Sequence, residues 1–112
     1  NDKAPAWTGV EYFFDFITRQ TPSPGPFGIS TTLSELEPGD FVQFRFNKDV
    51  FGHTPVVVEI GRPATLQNTL IAAHSYDADW RPLSTYYFQE IRFLHIQGAY
   101  REIRGEEVLP SM

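Results

Sequence analysis

Apolar side chains at Val10, Phe13, Phe14 and Ile17 follow the i, i+3, i+4, i+7 spacing of one helical face. Thr8 and Glu11 read as a capping box: Thr8 accepts from the third helical N–H and Glu11 reaches back. Trp7 and Tyr12 flank the cap as a hydrophobic staple. Arg19 stands at the end of the helix dipole that favours a cation. The pattern predicts a helix through WTGVEYFFDFITR. QTPSPGPFG then breaks the chain, because three prolines and two glycines in nine residues hold neither a helix nor a central strand. STTLSELEPGD reads as a short turn of helix closing on a Pro-Gly turn.

Beyond that turn the period changes from helical to alternating. Val42, Phe44 and Phe46 fall on one face of a strand over Phe41–Phe46, with Gln43 and Arg45 on the other. Thr54–Ile60 is valine-rich and predicts a central strand buried on both faces. Thr69–His74 and Ile91–Ile96 complete a set of four strands. Their spacing suits an antiparallel meander better than repeated strand–helix–strand units. The fold class read from the pattern is α+β, a helix packed on a curved antiparallel sheet. YREIRGEEVLPSM has no clear period, and residues 98–112 read as a tail.

Composition narrows the function classes. The 112 residues make one domain or part of one, and at 41% hydrophobic and 15% aromatic they supply a core. A net charge of −5, with nine dispersed Lys and Arg, argues against nucleic-acid binding. No apolar stretch approaches the ~20 residues of a membrane span, and no signal peptide is visible. A start at Asn1 rather than Met reads as a processed, cut or engineered piece. The absence of cysteine excludes disulfides and an internal thiol nucleophile.

Candidate chemistry centres on histidines. His53 opens a strand, where a histidine either caps the strand end or serves as a general base beside a cleft. His74 closes the next strand, so a meander brings the two to one sheet edge, with Asp77 or Asp79 available to orient a ring. His95, between Leu94 and Ile96, reads as structural. No local His spacing supports a zinc site, and Asp77 and Asp79 lack the Gly and distal Glu of a calcium loop, so neither metal nor cofactor is expected. Thr54 and Ser75 each follow a histidine directly and so point to the opposite face of a strand, which argues against a hydroxyl nucleophile. Tyr76, Trp80, Tyr86 and Tyr87, around the acidic turn with Asp77, read chiefly as core and rim aromatics, with the lining of a groove for sugar or peptide as the functional alternative.

Together LSELEPGDFVQF, GHTPVVVEI, LIAAHSYDADWRPLS and IRFLHI resemble the C-terminal two-thirds of the Putative amidase domain family. That family is a bacterial branch of the papain-like cysteine amidases and peptidases, related to CHAP-type and NlpC-type cell-wall hydrolases. APAWTGVEYFFDFITR and GPFG are similar to its segment between nucleophile and sheet, so the resemblance runs to about Gln97. It implies a papain-like antiparallel sheet, incomplete at the N-terminus, with residues 1–112 as the C-terminal part of one amidase-like domain. His53 matches the family's base, and His74 matches its polar third residue. The nucleophilic cysteine would lie on an upstream segment, so the 112-residue chain is expected to be inactive alone. Such a segment, or a dimer partner, would cover an otherwise exposed sheet face. The implied substrate is a peptide or cell-wall amide, and the implied location is outside a bacterial cell or on its surface. Two alternatives stand beside this: a non-catalytic peptide- or glycan-binding module of the same fold, and an unrelated small antiparallel domain with unconnected histidines.

Overall fold

The alternation that begins at Phe41 forms an inner strand of a six-stranded antiparallel sheet, in a computed structural model that describes residues 9–46, 49–72 and 80–102. Helix α1 (Gly9–Ile17) precedes β1 (Gly25–Thr31), β2 (Phe41–Arg45), β3 (Val56–Ile60), β4 (Thr69–Ala72), β5 (Arg81–Pro82) and β6 (Glu90–Tyr100). Short 3-10 turns span Leu33–Glu35 and Leu83–Thr85. The sheet order is β1-β6-β2-β3-β4-β5. Strands β2, β3 and β4 follow one another as the first three strands of the expected meander, and the unpredicted two-residue β5 extends them. The fourth predicted strand, β6, instead crosses back and inserts between β1 and β2. It also continues past Ile96 to Tyr100, pairing there with β1.

Strand β1 occupies the Pro/Gly segment from which the sequence predicts only a break. Proline lacks a backbone N–H, which rules it out of a central ladder but not out of an edge strand. β1 is an edge, so Pro26 is tolerated there. Arg19 secures the approach. Its guanidinium donates to the carbonyls of Phe16 (2.6 Å), Pro26 (2.7 Å), Gly25 (3.2 Å) and Ser23, and to Ser23 Oγ (2.8 Å). One cation therefore gathers the carbonyls of this proline-rich loop and of the first residues of β1.

The sheet is covered on both faces. On one, Val42, Phe44, Val57 and Ile71 pack with Leu36 and Leu83 from the two 3-10 segments, all at most 1% exposed. Burying each of these side chains contributes about 1.5–3 kcal/mol. The Phe44 ring stacks against Tyr86 at 4.9 Å, Phe88 at 5.5 Å and Phe46 at 5.6 Å. On the other face lies α1, with Ile17 fully buried and Phe13 edge-on to Phe41 at 5.0 Å. Gln43, which the alternation assigns to a polar face, is consequently 0% exposed. Its strand faces a helix, not water.

Candidate functional site

His53 is held by the backbone before regular β3 begins. Gly52 N donates to Phe44 O (2.8 Å), Phe44 N to His53 O (3.3 Å) and Val42 N to Pro55 O (3.0 Å), so residues 52–55 run antiparallel along β2. Pro55 has no N–H to give, and the regular strand starts only at Val56. Because Phe44 and His53 form a bridge, their side chains share a face. The His53 ring meets Phe46 edge-on at 5.2 Å and is otherwise exposed. It stands at a cleft of about 450 Å³ lined by Val10, Phe44, Phe46, Gly52, His53, Thr54, Pro55 and Tyr86. That volume is within the range of small-molecule pockets, and none of these residues is Asp, Glu, Lys or Arg.

Behind the cleft, between helix and sheet, lies a polar group of side chains. Gln43 Nε2 donates to Val10 O (3.0 Å) and Thr54 Oγ1 (2.9 Å), while its Oε1 accepts from Arg92 Nε (2.8 Å). Arg92 Nη2 reaches Glu11 Oε1 at 3.1 Å, and Glu11 Oε2 accepts from Phe51 N at 3.1 Å. The guanidinium is sandwiched between the Phe14 and Phe51 rings, 3.8 Å from each centroid. Glu11, predicted as a capping-box residue, thus turns its carboxylate toward the sheet and the His53 loop. Its capping partner Thr8 and the staple residue Trp7 lie outside the described residues.

His95 pairs with Asp40. Asp40 follows the Pro38-Gly39 turn, in which Asp40 N bonds Glu37 O at 3.0 Å and Gly39 takes φ +96°, a left-handed conformation suited to glycine. The buried carboxylate accepts from Glu37 N (2.9 Å) and Ile96 N (3.0 Å) and lies 2.9 Å from His95 Nδ1. This hydrogen bond, opposed by burial and assisted by the charges of Asp40, Glu37 and Glu35, raises the imidazole pKa above its ordinary 6.5. Asp40 and His95 therefore tie the start of β2 to β6.

Of the candidates read from the sequence, His53 lies at the cleft. His74 and Asp77 lie outside the described residues, as do Ser75, Tyr76 and Asp79. Trp80 is half-exposed just before β5 and is not among the described residues lining the cleft. Tyr86 lines the cleft, and Tyr87 is almost wholly exposed. Among the described residues, Thr54 Oγ1 is engaged by Gln43, and no three His, Asp or Glu side chains converge to hold a metal. No helix among them is long and apolar enough to cross a membrane.

Sequence reading missed both polar constellations. Gln43 was placed only on the face opposite Val42, Phe44 and Phe46, and Arg92 was not singled out. The available signal was the aromatic helix itself, since Phe13 and Phe14 require a sheet face to pack on and that face carries Gln43 and Arg92. Comparison with curated proteins and with solved structures yields no match. A family model described as "Putative amidase domain" matches residues 1–96, across the helix, the Gly-Asp turn, the His53 segment and β6 as far as Ile96. The chain belongs to the Putative amidase domain family.

Proposed function

We propose that this domain works as part of a papain-like cysteine amidase, with His53 as its general base and acid. The observation that carries the reading is His53 itself: a backbone-fixed, exposed imidazole beside a cleft whose described lining includes no Asp, Glu, Lys or Arg, within a family match covering most of the chain. A thiolate adds to the amide carbonyl carbon, and the tetrahedral adduct expels the amine as the His53 imidazolium gives it a proton. Water, deprotonated by His53, then releases the acid from the thioester and returns the thiol. The sequence has no cysteine, so the sulfur comes from outside these 112 residues. His74 serves as the polar residue that orients the base, and Asp77 and Trp80 contact substrate. Resemblance to CHAP-type and NlpC-type hydrolases supports a stem peptide of a bacterial cell wall as substrate, and action outside the cell.

The test uses the protein expressed with whatever coding sequence its gene places around residues 1–112, assayed on muropeptides by the mass of released products. Amine release that iodoacetamide blocks and that His53→Ala lowers by about 10²- to 10⁴-fold is the expected result. Release that persists in His53→Ala, or in the alkylated protein, overturns the reading. One observation favours a second function: with no thiol of its own, the fold suits a peptide- or glycan-binding module. Muropeptide binding without any release would establish that alternative.

A further inference from the structure

We infer that Glu11, Arg92 and the buried Gln43 form a partly buried brace whose task is to position His53, an assignment that rests on the proposed role of His53 as the base. The contacts close a circuit. From Thr54 Oγ1 they run to Gln43, to Arg92, to Glu11 and back to Phe51 N, leaving only Gly52 and His53 to complete the ring. Each end of that two-residue span is thus pinned from the helix side, while Phe44 holds its backbone from the sheet side. Gly52 is exposed, with nothing within 4 Å of where a Cβ would stand, so neither packing nor its own side chain restrains it.

Chemical economy points the same way. A fully buried glutamine must satisfy both amide hydrogens and its oxygen, and here Val10 O, Thr54 Oγ1 and Arg92 Nε do so. An aliphatic residue beneath an aromatic helix would fill the space with no polar desolvation. A glutamine instead fixes direction. Its amide joins the helix backbone, the β6 arginine and the hydroxyl adjacent to His53 in one geometry, which a hydrophobic contact would not specify. Gln43, Arg92 and Glu11 are therefore positioning residues, acting through Phe51 and Thr54.

Thr54→Val removes the hydroxyl at nearly constant volume, and Thr54→Ser restores it. The 112-residue chain carrying each change is followed by ¹⁵N-imidazole NMR titration and by diethyl pyrocarbonate modification mapped to individual histidines. Thr54→Val is expected to alter the ring resonances and tautomer signature of His53 and to raise its modification rate several-fold. His95 stays unchanged as an internal control, and Thr54→Ser returns His53 to wild type. In the muropeptide assay, kcat falls on the order of 10-fold to 100-fold at constant KM. A His53 signature unmoved in folded Thr54→Val overturns the proposal, as does failure of Thr54→Ser to rescue. If Thr54→Val unfolds the chain, Glu11→Gln, which keeps an acceptor for Phe51 N but loses the charge facing Arg92, carries the same readout and the same criteria. Should His53→Ala retain activity, the base assignment falls while the NMR result still judges the brace.

Discussion

At the scale of single residues, the most consequential side chains are polar ones that the apolar pattern does not announce. Among the described residues no buried side-chain nitrogen or oxygen lacks a hydrogen-bond partner, so the polar atoms between helix and sheet form a completed set. Asp40 illustrates the cost and its compensation: nearly fully buried, it receives two backbone N–H groups and the His95 ring. The linkage has a definite sign. The folded-state pKa of His95 lies above the unfolded value, so its contribution to stability is complete below pH 6.5 and is lost as pH rises through the folded pKa. Urea midpoints measured from about pH 5.5 to about pH 8.5 should therefore decline in the wild type by more than in His95→Gln. The carboxylates that face His95 (Asp40, Glu37 and Glu35) are kept in both proteins, so the difference isolates this pair. Parallel curves for the two proteins would show that Asp40 holds the imidazole without preferring its charged form.

At the scale of elements, β6 organises the sheet, because it pairs β1 on one side and β2 on the other. Its approach to β1 is close at Gly28, where an added Cβ would stand 2.0 Å from His95 O. The bulge between Phe27 and Gly28 places backbone where a side chain would otherwise go. Gly28→Ala must part the two strands, costing about 1–3 kcal/mol by the usual scale of overpacking. Hydrogen exchange should quicken at Ile29 and Leu94 while the β3–β4 amides keep their protection. Uniformly faster exchange would mean that the β1–β6 pair does not open separately. Helix α1, the β2 pattern, the Pro-Gly turn and the antiparallel α+β class were legible because their periodicity is local. β3 lies where the valines predict a strand, but only Val57 in it is buried and Glu59 is exposed, so it is not the strand buried on both faces that the valine run suggests. The place of β6 was not legible, since crossing back from the far edge leaves no mark on the sequence of either strand it joins. β1 was hidden for a different reason: Pro and Gly signal a break, yet an edge position and the Arg19 guanidinium supply what the ladder lacks. The position of His53 ahead of a valine strand was legible, whereas the burial of Gln43 was not, because alternation cannot tell a face covered by a helix from one bathed in water.

For the molecule as a whole, the division of labour between the two faces bears on where the chemistry comes from. One face is an aliphatic and aromatic core closed by the 3-10 segments, the other a helix over a polar brace, and His53 stands where the two meet beside the cleft. Among the described residues, the hydroxyls lining that cleft belong to Thr54 and Tyr86, and that of Thr54 is held by Gln43. Neither is presented to the imidazole as an activated serine would be, and the sequence offers no sulfur. On the proposed function, residues 1–112 by themselves should bind a muropeptide yet release no amine from it, and His53→Ala should make no difference to that absence of turnover. Isothermal titration with the muropeptide, alongside mass analysis of the same mixture, makes both measurements on one sample. Hydrolysis by the isolated chain, abolished in His53→Ala and indifferent to iodoacetamide, would put water in the role of nucleophile. It would remove the thiol from the mechanism while leaving His53 as its base. A silent chain whose activity appears only with additional coding sequence, and disappears on alkylation, would instead make the cleft one half of an active site and the thiol the other.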